Sequence, residues 1–147
     1  MDIFKILAFV ILPVLIAAFF ASIIPRKRIE RQRFNEAADR FKETFVEEIR
    51  FLDRSYAFDR TLRDIPEVLA AASSKHEAAL IKFMIVLNKN KRKEIKKAWK
   101  EYTGENKIMG EYTFNQYATY GNIKDAKSIR NNALNHLEKI LSFAKQK

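Results

Sequence analysis

The chain has 147 residues with 3 Gly and 3 Pro, which suits one compact domain and excludes a disordered chain or a barrel of many short strands. It has no cysteine, which excludes disulfides, iron–sulfur clusters and thiol catalysis, and its 2 histidines argue against a histidine-rich metal site. A net charge of +10 favours anionic lipid, nucleic acid or an acidic protein as partners. The sequence predicts no cofactor and no metal ligand.

The N-terminal segment predicts a membrane-spanning helix over residues 6–24, ILAFVILPVLIAAFFASII. This run has no charge, and as a helix it would be about 28 Å long, close to the hydrocarbon core of about 30 Å. The alternative is a cleaved signal peptide, but the run is long for one and its small residues are poorly placed for cleavage. Five basic residues follow it: Arg26, Lys27, Arg28, Arg31 and Arg33.

Basic residues beside a membrane helix stay in the cytoplasm. The sequence therefore predicts an uncleaved anchor in residues 1–25, with the N-terminus outside, and a cytoplasmic helical domain in residues 26–147. In a bacterium this protein would lie in the inner membrane.

Apolar residues at helical spacing predict the elements of the cytoplasmic domain. The predicted helices cover residues 26–52, 64–73, 74–87 and 91–102, and a last one runs from 121 or 122 to 144. The break at Ser73–Ser74 is predicted because Ser74 and Glu77 have capping-box spacing. The fold class is therefore all-α: a single N-terminal transmembrane helix followed by a cytoplasmic bundle of four to five helices.

The predicted core positions lie on the apolar stripes of these helices: Phe34, Phe41, Phe45, Ile49, Leu52, Leu69, Leu80, Phe83, Ile95, Trp99, Tyr102, Leu137 and Ile140. Between the last two helices lies an aromatic cluster of Tyr112, Phe114, Tyr117 and Tyr120, for which we expect a short helix. In a bundle this small, aromatic residues more often fill the core than line a ligand pocket.

A second basic segment, KNKRKEIKKAWK, covers most of the helix predicted over residues 91–102. Its basic residues are Lys89, Lys91, Arg92, Lys93, Lys96, Lys97 and Lys100. Three interpretations stay open for it: a solubilising helix face, a contact with lipid headgroups, or contact with an anionic macromolecule. No nucleic-acid-binding motif supports the last of these.

The sequence offers little that could support catalysis. His76 and Glu77 are neighbours and point about 100° apart on a helix, so their spacing does not make a catalytic pair. We expect His76 and His136 at the surface or edge of the core, and the acidic pair Glu47–Glu48 on a solvated helix face. Phosphate-binding, hydrolase and metal-binding motifs are absent, so we predict a protein that is not an enzyme.

Several segments carry a resemblance, and they are spread over residues 33–144: RFNEAADRFKETF, SKHEAALIKF, KRKEIKKAWKEY, FNQYA and LEKILSFA. In their order, the chain resembles a loosely defined set of small, uncharacterised bacterial and prophage proteins that have one N-terminal membrane helix and a helical cytoplasmic domain. The resemblance implies a bacterial or prophage origin and a helical fold. It assigns no functional residue.

Three functional hypotheses follow. The first is an adaptor or regulator that binds a protein partner at the cytoplasmic membrane face, because an anchor raises the local concentration of what it holds. The second is a prophage-type membrane effector or immunity factor that acts by self-association as a homo-oligomer. The third is a membrane-tethered nucleic-acid binder that uses the basic segment at residues 89–100.

Overall fold

The computed structural model describes residues 26–53, 65–118 and 126–146, together with Val14. Five α-helices lie in this part of the chain: α1 (residues 26–43), α2 (Val46–Asp53), α3 (Ile65–Met84), α4 (Lys89–Thr103) and α5 (Ala126–Leu141). Two short strands, β1 (Lys107–Ile108) and β2 (Glu111–Tyr112), and 3-10 turns at Asn115–Tyr117 and Ser142–Ala144 complete it. The protein is mostly helical, which confirms the all-α class.

The helix predicted over residues 26–52 is in fact two helices. Thr44 and Phe45 form a turn between α1 and α2. The Thr44 hydroxyl donates to the Arg40 carbonyl at 3.0 Å, and the Phe45 N–H donates to Lys42 O, three residues back rather than four. A Thr hydroxyl that donates to a backbone carbonyl of the preceding turn bends or interrupts a helix. The prediction of one continuous helix was therefore wrong.

The predicted break at Ser73–Ser74 was also wrong, because α3 runs through it. The Ser73 hydroxyl donates to the Ala70 carbonyl at 2.6 Å, which satisfies the side chain inside the helix instead of starting a new one. Ser73 is buried. The helices therefore divide the chain differently from the prediction.

The ends of α4 follow the rules of helix capping. Asn88 is the N-cap, and its side chain accepts a hydrogen bond from the Lys91 N–H at 2.9 Å. Gly104 closes the helix in the left-handed conformation with φ 69°, and its N–H donates to Lys100 O. The helix predicted over residues 91–102 is thus confirmed, with its start two residues earlier and its end one residue later.

A two-stranded hairpin, absent from the prediction, follows α4. β1 and β2 pair antiparallel around a turn at Met109–Gly110, and both Ile108 and Met109 are exposed. Tyr112 anchors the hairpin, since its hydroxyl accepts from Trp99 Nε1 and donates to Glu77, each at 3.2 Å. The expected short helix is the 3-10 turn at Asn115–Tyr117.

Ring contacts show how the helices run. α1 is antiparallel to α3, because Phe34 packs on Phe83 while Phe45 stacks on His76. The turn at residues 85–88 then starts α4 at the end of the bundle where α1 begins. α5 packs against α2 and α4. We call residues 26–33 and 85–93 the basic end; α2 and the hairpin lie away from it.

The core has the predicted apolar character. Its fully buried large side chains are Phe41, Phe45, Leu52, Ile65, Leu69, Phe83, Ile95, Tyr102, Phe114, Tyr117, Leu137 and Ile140. Phe41 and Phe83 stack with their ring centroids 4.6 Å apart, so they join α1 to the last turn of α3.

Several predictions lie outside the described residues: the anchor at residues 6–24 apart from Val14, the connection at residues 54–64, Tyr120 and the start of the last helix at residues 121–125. Among the helices that the structure does describe, none is both long and apolar enough to cross a bilayer.

Candidate functional site: the basic end of the bundle

Residues 26–33 form an exposed basic stalk at the start of α1. Every side chain in this range is exposed, including Ile29, and Phe34 is the first buried residue. As α-helix the stalk rises about 12 Å, whereas the headgroup layer on one side of a bilayer is about 5–8 Å thick. The structure thus places the predicted contacts Arg26, Lys27, Arg28, Arg31 and Arg33 on a stalk longer than that layer.

Five lysines of α4 form a stripe on its exposed face: Lys89, Lys93, Lys96, Lys97 and Lys100. Their spacing places them within about 100° of the helix circumference. The stripe is opposite the buried residues Ile95, Ala98 and Tyr102. It is about 17 Å long, so Lys89 and Lys93 belong to the basic end while the other lysines continue along the side of the bundle.

Three of the predicted basic contacts already have partners within the protein. Arg92 donates to Leu87 O at 2.8 Å and to Ile85 O at 3.1 Å, so it holds the carbonyls that follow α3. Lys91 lies over the Phe143 ring, and Lys100 forms an ion pair with Glu105. Lys89, Lys93, Lys96 and Lys97 have no hydrogen-bond or ion-pair partner among the described residues, so they are the cations available to an external anion.

A polar cluster that the sequence did not predict lies inside the bundle. Glu48 is 5% exposed and His76 is fully buried, with His76 Nε2 3.0 Å from Glu48 Oε2. The contact lacks the direction of a hydrogen bond, so among the described residues both His76 ring nitrogens and Glu48 Oε2 have no hydrogen-bond partner. Lys75 Nζ is 3.3 Å from Glu48 Oε1 and 3.4 Å from Glu47 Oε2.

The electrostatics of this cluster keep Glu48 ionised. Burial, the largest influence, raises the pKa of Glu48, but the contacts with His76 and Lys75 outweigh it and hold the pKa below its ordinary value of 4.5. Glu48 was expected on a solvated helix face, and His76 at the surface or the edge of the core. Both are buried, so both expectations were wrong, whereas Glu47 is exposed as expected.

A chain of aromatic and polar groups extends from this cluster to α5. The Tyr102 hydroxyl is buried without a hydrogen-bond partner among the described residues, and burial raises its pKa well above 10, with Tyr117 and Glu48 adding to the effect. The Tyr117 hydroxyl donates to the backbone carbonyl of Tyr102 at 3.0 Å, and it lies 2.7 Å from His136 Nδ1. Burial lowers the pKa of His136, which is half-buried at the edge of the core as expected.

The shielding of these groups limits their chemistry. Glu48 and His76 are both buried, so a substrate would have to open the bundle to reach either side chain. Within the described residues no group of three or more His, Asp or Glu side chains could hold a metal ion.

The sequence does contain a signal for the buried pair. Phe41, Phe45, Glu48 and Leu52 have the four-, three- and four-residue spacing of one helix face, and His76 occupies the matching position between Leu69 and Leu80. A charged residue on each of two apolar stripes indicates that the two stripes meet. The unpaired hydroxyl of Tyr102 has no such signal, because tyrosine is ordinary in a core.

A scan against protein families found no match, and searches of curated proteins and of solved structures found no similar protein. The resemblance to small bacterial and prophage membrane proteins therefore stays a prediction.

Proposed function

We propose that this chain is a single-pass, non-catalytic membrane protein whose helical bundle binds a protein partner, as an adaptor or regulator, at the cytoplasmic face of a bacterial inner membrane. One observation carries the proposal. Two basic segments, the stalk at residues 26–33 and the start of α4, lie at the same end of the bundle, and the stalk follows the apolar run at residues 6–24 in the sequence.

The charges and lengths suit a bundle that rests on anionic headgroups. A stalk of about 12 Å would bring Lys89 and Lys93 within about a Debye length, 8 Å at physiological salt, of the lipid surface. Each basic residue there adds about 1 kcal/mol of attraction to anionic lipid.

The interior supports a binding role rather than catalysis. The polar groups that could transfer protons, Glu48 and His76, are shielded from solvent. An anchor raises the effective concentration of a bound partner at the membrane without any new contact, and this is what an adaptor or regulator requires.

The lysine stripe of α4 favours one competing function, a membrane-tethered nucleic-acid binder. Lys96 and Lys97 lie about one turn beyond the basic end along α4, are exposed, and have no ion-pair partner among the described residues. This function predicts binding whose affinity falls steeply with salt, by about one unit of log–log slope per phosphate contact. Binding that is absent or independent of salt would contradict it.

Topology is the first test of the anchor. Because the natural chain has no cysteine, the variants Asp2→Cys and Lys145→Cys each carry one reactive thiol. In intact bacterial cells a membrane-impermeant maleimide should label position 2, whereas position 145 should react only after lysis. The reverse pattern, or loss of the N-terminal label by cleavage, would contradict the proposal.

The partner class needs a second experiment. The full-length protein is cross-linked and purified from membranes in two halves, one of them treated with nuclease. A stoichiometric protein that survives nuclease supports the adaptor. Loss of partners on nuclease treatment supports nucleic-acid binding, and recovery of the chain alone supports a self-associating membrane effector.

A further inference from the structure

A groove of about 510 Å³ lies between α1 and α3. Its floor is aromatic, since the stacked rings of Phe41 and Phe83 lie at its base. Its walls are low because alanines line it on both helices: Ala37, Ala78 and Ala79. Small residues on two neighbouring helices leave room for a third apolar surface to come close.

Two unpaired cations border the groove, one from each helix. Arg40 of α1 and Lys82 of α3 both line it, both are exposed, and neither has an ion-pair partner among the described residues. Lys75 closes the end nearer α2, where it is already paired with Glu47 and Glu48. The groove therefore presents an apolar floor between two available positive charges.

An exposed apolar stripe on α3 continues the surface towards the basic end. Ala78, Ile81 and Ile85 have three- and four-residue spacing, and Ile81 and Ile85 are 57% and 72% exposed. From Lys75 to Ile85 the surface is about 15 Å long, the length of an α-helix of about ten residues. That extent is greater than a compact metabolite requires and suits a helix laid in a groove.

We propose that this groove binds an acidic amphipathic helix of the partner protein, an inference that rests on the adaptor function. The partner's apolar side chains would pack on Phe41, Phe83 and the alanines, and its flanking carboxylates would pair with Arg40 and Lys82. Charge selects this occupant over a second copy of the chain, because a two-fold contact through the groove would bring Arg40 and Lys82 of both copies together.

The parts of this chain outside the described residues are also poor occupants. Residues 54–64 carry three arginines against two aspartates, and residues 119–125 and 1–25 each carry one lysine and one aspartate. None of these segments has the net negative charge that the two cations require.

The test uses the full-length protein in nanodiscs of zwitterionic lipid and a synthetic helical peptide with leucines at three- and four-residue spacing, flanked by glutamates. A matched peptide has lysine in place of every glutamate. The acidic peptide should bind with micromolar affinity, measured by fluorescence anisotropy, and the basic peptide should bind about tenfold or more weakly. No binding, or equal binding of the two peptides, would overturn the proposal.

Four variants locate the binding. Arg40→Glu/Lys82→Glu should lower the affinity for the acidic peptide by about tenfold or more and should raise the affinity for the basic peptide. The control Arg50→Glu/Lys127→Glu, with the same charge change on α2 and α5, should leave both affinities unchanged. Ala78→Trp should block the groove, whereas Asn131→Trp on α5 should not, and far-UV circular dichroism confirms that each variant folds.

A photo-cross-linking residue at position 78 completes the design. Cross-links to the peptide support the proposal, whereas cross-links to lipid in the presence of peptide would overturn it. This experiment can fail independently of the adaptor function. If the groove does not bind the peptide, the results of the topology and co-purification experiments are unaffected.

Discussion

At the basic end the charged side chains lie outside an aromatic interior, whereas in the part of the bundle nearer α2 the interior itself carries charge. Phe34, Phe41 and Phe83 pack on one another in the interior of the first region. Glu48 and His76 lie in contact within the second. The comparison separates two uses of charge: exposed cations cost little and remain available to an anion, while a buried carboxylate must be compensated by its neighbours.

The largest expected effect tests the aromatic interior. Phe83→Ala removes a ring that packs on both Phe34 and Phe41, so the free energy of unfolding should fall by about 4 kcal/mol. Urea denaturation of the full-length protein in detergent micelles, followed by the fluorescence of Trp99, measures it. The control Ile85→Ala, at an exposed position two residues away, should change stability by less than about 0.5 kcal/mol. Equal losses would mean that the two positions are packed alike.

The second largest loss of stability is expected at the buried pair of Glu48 and His76. Glu48→Ala leaves His76 without its carboxylate and should cost about 3 kcal/mol. Glu47→Ala is the matched control, because Glu47 also pairs with Lys75 but is exposed, and it should cost about 0.5 kcal/mol or less. The same urea denaturation applies to both.

The double variant Glu48→Leu/His76→Phe sharpens this comparison. It replaces the pair by apolar groups and should return the stability to within about 1 kcal/mol of the natural chain. If Glu48→Ala costs no more than Glu47→Ala, the interior charge has no structural role.

Much of the fold was predictable because it depends on local patterns. Apolar stripes and the caps Asn88 and Gly104 fix the class and the ends of α4. The break at Thr44 and the continuity through Ser73 were not predictable. In each case the hydroxyl can hydrogen-bond to more than one nearby backbone group, and the sequence does not show which bond forms.

The candidate site also has features that the sequence predicts and features that it does not. The basic residues were predictable as exposed, since charge beside water needs no partner. Which of them are available was not, because the pairing of Arg92 with the turn after α3, and of Lys100 with Glu105, depends on geometry across a turn. The groove joins Arg40 to Lys82 across two helices, and only their antiparallel packing brings these residues together.

The lipid-facing charges should have an intermediate effect. In nanodiscs with anionic lipid, Lys89→Gln/Lys93→Gln should weaken docking of the bundle on the surface by about 2 kcal/mol. An environment-sensitive dye on Ile85→Cys reports the docking. Lys96→Gln/Lys97→Gln makes the same charge change farther along α4 and should have a smaller effect; equal effects would indicate that α4 lies flat on the membrane.

A smaller difference in stability is expected between substitutions at the two loop glycines. Gly104 and Gly110 both have positive φ, at 69° and 88°. A Cβ at Gly104 would also collide with the Gln116 amide, whereas at Gly110 it meets nothing. Gly104→Ala should therefore cost about 1 kcal/mol more than Gly110→Ala in unfolding free energy; the opposite order would contradict the packing of Gln116 against the end of α4.

The smallest effect near neutral pH should come from His136. Burial lowers its pKa below the ordinary value of 6.5, so the unfolded chain binds more protons in that window and stability falls as the pH drops below 6.5. Glu48, with its pKa below 4.5, adds a second loss as the pH falls through its folded pKa. Urea midpoints from neutral to acidic pH measure both, and His136→Gln should remove only the first; stability that rises on acidification would contradict both assignments.

The most direct test of the central claim, that the basic end faces the membrane, compares the depth of two positions. Single-cysteine variants Lys93→Cys and Met109→Cys, spin-labelled in nanodiscs with anionic lipid, report their distance from the headgroups through relaxation by lipid-bound metal chelates. We expect position 93 to lie within about 8 Å of the headgroups, as the length of the stalk requires, and position 109 to lie about 15 Å farther out, the rise of α4 from Lys93 to its end at Thr103. Equal depths, or a hairpin nearer the lipid than position 93, would contradict it.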